Sequence, residues 1–146
     1  MQPRLRPIAV KLALSARGIP YIWGGSTPNV GFDCSGFIVW IFQILAMLPE
    51  GDWSAQGLYN IFAAKKRASS QLAGPGDLVF YGNDILHITH VMMKASDITL
   101  IGAHGGGRKT MTRDQAYTAG ARVSSVMQDY RADVAAVICV TYPDET

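Results

Sequence analysis

The chain has 146 residues, a formal net charge of +2, and 49% hydrophobic against 16% charged residues. That is the length of one ordinary domain with enough apolar material for a core, which excludes an unstructured tail. The positive charge is too small to argue for a nucleic-acid partner, and the longest apolar run, Phe37 to Leu48, is interrupted by Gln43 and too short to span a bilayer.

Residues 5–17 predict an amphipathic helix that stops at Gly18-Ile19-Pro20. Lys11 splits the apolar stretch, and no separate cleavage region follows, so this is not read as a signal peptide. Synthesis in the cytoplasm is the expectation. Residues 21–33 form a loop by their Gly, Pro and Asn content, and Cys34 to Leu48 then reads as a buried helix with Asp33 at its N-cap. A second amphipathic helix is expected over 53–67, ending in Lys65-Lys66-Arg67, with Trp53, Tyr59 and Phe62 read as core by default, the alternative being the lining of a substrate groove. The Gly74-Pro75-Gly76-Asp77 turn opens the strand LVFY. Three more strand-like runs follow at 87–94, 98–104 and 133–142, and the stretch Met111–Met127 between the last two is ambiguous. Helices first and strands afterwards predict an α+β fold with an antiparallel sheet, one domain over residues 1–146.

Of the two cysteines, Cys139 lies among Val, Ile and Ala and is read as core, whereas Cys34 opens a hydrophobic helix directly after a glycine-rich loop. A helix N-terminus lowers a thiol pKa, and its free N–H groups can hold a developing oxyanion, so Cys34 is the candidate nucleophile. Ser35 and Gly36 are small enough for a substrate backbone to approach. Without a C-x-x-C pair or a disulfide framework, no metal or cofactor is expected. Asp33 is an N-cap rather than a catalyst, because a carboxylate beside the sulfur would raise its pKa.

Tyr21-Ile-Trp-Gly-Gly25 followed by Gly31-Phe-Asp-Cys-Ser-Gly-Phe37 resembles the signature of the NlpC family of cell-wall peptidases. Gly76-Asp-Leu-Val-Phe-Tyr81 and His90-Val91 resemble that family's next two blocks, in the same order. The resemblance implies a circularly permuted papain-like fold, with a helix carrying Cys34 packed on a sheet carrying His90. It also implies hydrolysis of amide bonds in peptidoglycan stem peptides, commonly after D-γ-glutamate. By the same comparison His90 is the base, and the Tyr21 hydroxyl contacts the sulfur or the oxyanion unless Tyr21 is simply buried; Ser35 belongs to the oxyanion or substrate side. Trp23 is taken as packing.

Here the chain departs from the family. The position that usually supplies the third polar residue is Gly102, which has no side chain. Strand parity puts His104 on the same face, so His104 is the candidate to orient His90, the alternative being a backbone carbonyl or a water. His87 falls on the other face or in the preceding loop. The glycines at 105–107 suggest a turn at the rim of a cleft; the P-loop pattern fails because Arg108 separates them from Lys109. A non-catalytic module of the same fold, such as a phage tail or assembly component, is the second expectation, and acyl transfer by the same Cys–His pair a third. The expected partner is the wall peptide, reached through a phage virion or secretion machinery, with a possible immunity partner, or through a native leader that has been trimmed away.

Overall fold

The computed structural model describes residues 4–65 and 73–145. Helix α1 (Leu5–Ser15) is followed by a short hairpin of β1 (Ser26–Thr27) and β2 (Gly31–Phe32), then helices α2 (Cys34–Ile44) and α3 (Ala55–Ala64). Strands β3 (Leu78–Gly82), β4 (Ile88–Lys94) and β5 (Thr99–His104) come next, then α4 (Arg113–Ala119), β6 (Arg122–Met127) and β7 (Val134–Ile138). The five long strands form one antiparallel sheet in the order β6-β5-β4-β3-β7. The expected α+β class holds.

Local chemistry explains the helix starts. Asp33 Oδ1 accepts the Gly36 N–H at 2.7 Å, and Ser54 Oγ accepts the Gly57 N–H at 3.0 Å, each satisfying a first-turn donor and contributing about 1 kcal/mol. Thr112 and Gln115 form a reciprocal capping box at α4, which ends on Gly120 in the left-handed region. That box and that glycine are the signals hidden in the ambiguous 111–127 stretch, where the structure has a helix and then a fifth strand. Lys65 is the C-cap of α3, while Lys66 and Arg67 lie outside the described residues.

The helices cover one face of the sheet. Phe37, Ile38, Ile41 and Phe42 of α2 and Leu58 of α3 are fully buried against Leu78, Phe80, Val91, Met93 and Ile101. Each such side chain contributes roughly 1.5–3 kcal/mol over leaving it in water. Tyr59 packs edge-on against Phe80 and Phe62 against Phe42, so both are core as expected. The other face carries a smaller cluster, Val79, Tyr81, Met92 and Leu100, with Tyr130 and Val126 against it.

The two chain ends are joined by Arg6. Its guanidinium donates to Glu145 through Nε at 2.8 Å and Nη2 at 3.0 Å, and to the fully buried Asp77 through Nη1 at 2.7 Å. Asp77 Oδ1 also accepts the Val140 N–H at 2.9 Å. The Asp of the Gly-Asp turn is therefore a structural tie, holding α1 and the C-terminal segment to the start of β3.

Candidate active site

The site lies where the start of α2 meets β4. Gly36 makes this approach possible: a Cβ there would stand 2.0 Å from the Gly25 carbonyl oxygen, so only glycine lets the 21–25 loop lie on the first turn. On β4 the pairing passes from Tyr81–His90 to Gly82–Ile88, so Thr89 is an extra residue, a β-bulge of the kind that re-aims side chains beside active sites. Paired residues on β4 and β5 are limited to Met93–Ile101 and Lys94–Leu100. Beyond them the Cys34 thiol meets the backbone of β4, donating to the Thr89 carbonyl at 4.0 Å, with the Val91 N–H also turned toward the sulfur.

Cys34 and His90 open into one cavity of about 410 Å³, together with Tyr21, Trp23, Thr89, His104, Gly105–Gly107, Tyr130 and Arg131. A larger cavity of about 610 Å³ lies away from these residues, against α4 and the start of β6. His87 is in the loop before β4, bonded through Nδ1 to Asp84 at 2.7 Å, and takes no part. The glycine turn does line the cleft. Trp23 is not packing: it is 44% exposed at the cavity mouth, with the Arg108 guanidinium 5.8 Å from its ring centroid.

Ser35 presents its backbone N–H toward the sulfur, as does Cys34 itself, while its hydroxyl bonds to Asp33 Oδ1 at 3.3 Å. Its side chain supports the N-cap and is not part of the cavity lining. Tyr21 is buried beside Cys34, and burial raises its hydroxyl pKa, keeping it a neutral donor. Cys139 is half-buried just past the end of β7, not within the strand core.

The charge state differs from the helix-start expectation. Burial, reinforced by the Asp33 carboxylate, pushes the Cys34 thiol up to about 11, outweighing the N–H groups of Val91, Ser35 and Cys34 that favour the thiolate. His90 moves the opposite way: burial, then the charges of Arg131 and His104, lower its pKa to about 3. The resting pair is a neutral thiol and a neutral imidazole.

The β4–β5 register is the one in which Ala95 meets Thr99, with the Ala95 N–H donating to the Thr99 carbonyl at 3.0 Å. Carried along the strands it sets Gly102 against Met92 and His104 across from His90. Met92 Sδ would stand 2.4 Å from a Cβ at position 102. Yet His104 Nε2 bonds to Ser124 Oγ on β6 at 2.5 Å, and His90 Nε2 is buried without a hydrogen-bond partner among the described residues. The orienting bond expected of His104 is not made, because its ring is taken by the next strand. Three neighbours of His90 escaped sequence reading: Tyr81, its cross-strand partner, and Tyr130 and Arg131, in the polar turn between β6 and β7. A lone aromatic in a polar turn was the only signal for Tyr130.

A cysteine-bearing helix laid on an antiparallel sheet that carries a histidine is the architecture of the papain-like proteins. The chain belongs to the NlpC/P60 family, whose sequence pattern matches residues 18–134. It is 42% identical over 85 residues to the bifunctional muramidase/DL-endopeptidase CwlT of Bacillus subtilis, covering 56% of this chain and 24% of that protein. It is 36% identical over 66 residues to the gamma-DL-glutamyl hydrolase of Bacillus subtilis, covering 45% and 15%. The chain thus spans a quarter or less of these curated relatives. Among solved structures, NlpC1 from Trichomonas vaginalis matches with a TM-score of 0.71 at 22% identity, over 96% of this chain and 45% of that one. The NlpC/p60 domain of the peptidoglycan hydrolase SagA matches with a TM-score of 0.66 at 25% identity, over 92% and 98%.

Proposed function

We propose that this protein is a cysteine peptidase that hydrolyses amide bonds in peptidoglycan stem peptides, cutting between D-γ-glutamate and the diamino acid. The observation that carries the reading is that Cys34, at the N-terminus of α2, and His90, on β4, open into the same cavity beside Tyr21. The names of the similar proteins, a DL-endopeptidase and a gamma-DL-glutamyl hydrolase, support the bond chosen.

The chemistry follows from two neutral groups. His90 Nδ1 removes the thiol proton as the sulfur attacks the carbonyl carbon, so thiolate forms in the step that uses it. The Cys34 and Ser35 N–H groups and the Tyr21 hydroxyl face the developing oxyanion. The imidazolium returns its proton to the leaving amine, which departs with the C-terminal part of the peptide. His90 then deprotonates a water that attacks the thioester, releasing the acid and restoring the thiol.

The test is digestion of purified wall fragments with mass analysis of the products. Fragments ending in D-γ-glutamate are expected, and none from Cys34→Ala. Undigested wall, or equal digestion by Cys34→Ala, overturns the reading. A second reading, a non-catalytic binding module, is favoured by the unheld His90 ring and by Gly102; it predicts wall binding without new products.

A further inference from the structure

Among the described residues, four buried side-chain polar atoms lack a hydrogen-bond partner: Trp53 Nε1, Tyr81 Oη, His90 Nε2 and Tyr130 Oη. Three of them belong to one cluster of rings. Centroids are 5.5 Å apart for Tyr81–His90, 5.5 Å for Tyr81–Tyr130 and 6.1 Å for His90–Tyr130, with His104 also 5.7 Å from Tyr130. Orphaned buried polar atoms are few in native proteins, and each is costly unless used.

The two nitrogens of His90 are not equivalent. Nδ1 is not among the buried unpartnered atoms and makes no bond, so it is the nitrogen open to the Cys34 cavity, while Nε2 is sealed in the ring cluster. To accept a proton at Nδ1 the imidazole must carry its own on Nε2, and that N–H needs an acceptor to fix the tautomer. His104 Nε2 is committed to Ser124, and Gly102 offers nothing. Tyr81 is tied alongside His90 by strand pairing, with the Arg131 guanidinium 5.2 Å from its ring centroid. Tyr130 touches all three rings, lines the cavity and stands on a turn. Its hydroxyl lies beside Arg131, whose Nε and Nη2 are bonded to Asp133 at 2.8 and 2.5 Å, and a hydroxyl oxygen has two lone pairs, so a cation beside it leaves one for His90. The His90–Tyr130 separation is within the span of a tyrosine ring plus one hydrogen bond.

We propose that Tyr130 is the positioning residue for His90, its hydroxyl oxygen accepting the Nε2–H and so holding the tautomer whose Nδ1 faces Cys34. This rests on the cysteine-peptidase reading above, but it is testable without turnover. In ¹⁵N-labelled protein, His90 shows the Nε2–H tautomer with a proton protected from exchange. Tyr130→Phe, which keeps the ring and its packing, loses the protected proton and mixes the tautomers, while Tyr81→Phe retains both. In the digestion assay Tyr130→Phe lowers kcat about tenfold or more, shifts the acid limb of its pH profile and leaves KM nearly unchanged. A Tyr130→Phe protein that keeps the protected proton overturns the proposal, as does loss of that proton in Tyr81→Phe or His104→Ala instead. If the wild-type protein cuts no wall fragment, the proposed reaction fails while the tautomer measurement still decides the role of Tyr130.

Discussion

Tyr81 and His90 face each other across the β3–β4 ladder, ring centroids 5.5 Å apart, at the last regular pair before β4 bulges at Thr89. At the bulge the Thr89 carbonyl and the Val91 N–H both reach the Cys34 sulfur, so the strand that carries His90 also holds Cys34 through its backbone. The electrostatic consequence is a buried, uncharged pair, and several outcomes depend on it.

Iodoacetamide labelling of Cys34 in the free protein should be slow at neutral pH and accelerate as pH rises from the ordinary thiol value of 9.0 toward about 11. A wall peptide seated in the cleft should protect it. Rapid labelling at pH 6 that does not change with pH would mean a preformed thiolate.

The His90 shift has a defined effect on stability. Its folded pKa of about 3 lies below the ordinary 6.5, so above pH 6.5 both folded and unfolded states carry a neutral ring and nothing is lost. As pH falls from 6.5 toward 3, the unfolded chain binds a proton that the folded one refuses, and stability declines. Tm measured across this window should fall more steeply for the wild type than for His90→Gln. Parallel curves would place the acid sensitivity elsewhere.

Arg6→Ala should destabilise the fold by about 3 kcal/mol, because it removes a guanidinium bonded at 2.7 Å to the fully buried Asp77 carboxylate. Chemical denaturation reads this directly. A change of less than about 1 kcal/mol, the scale of an exposed pair, would mean that the other contacts of Asp77 suffice without Arg6.

Restoring a polar side chain at position 102 should not restore an orienting residue. Gly102→Asn drives its Cβ into Met92 Sδ and should cost about 1–3 kcal/mol, partly recovered by Met92→Ala in the same chain. A rise in kcat in Gly102→Asn alone would show that the strands shift register to bring position 102 to His90.

Much of the scaffold was legible in the chain because its signals are local. Asp33 before an apolar run marks the start of α2, the Gly-Asp turn marks β3, and period two along β4 puts His90 with Met92 and apart from Val91 and Met93. Each depends on neighbours within a turn or a strand. The capping box of α4 was equally local but lay between polar residues without apolar periodicity, so the helix and the strand after it went unread.

The sequence by itself determined the place of Cys34 at a helix start, the strand that carries His90 and the glycines that let the 21–25 loop lie on the first turn of α2. Only the tertiary structure decided the state of that pair. Burial overrides the helix end to keep Cys34 protonated; Ser124, from a strand not foreseen, claims His104; and Tyr130 arrives beside His90 from a turn forty residues along the chain. Desolvation and long-range pairing depend on which distant segments meet, and no spacing along the chain encodes that as directly as a cap or a turn.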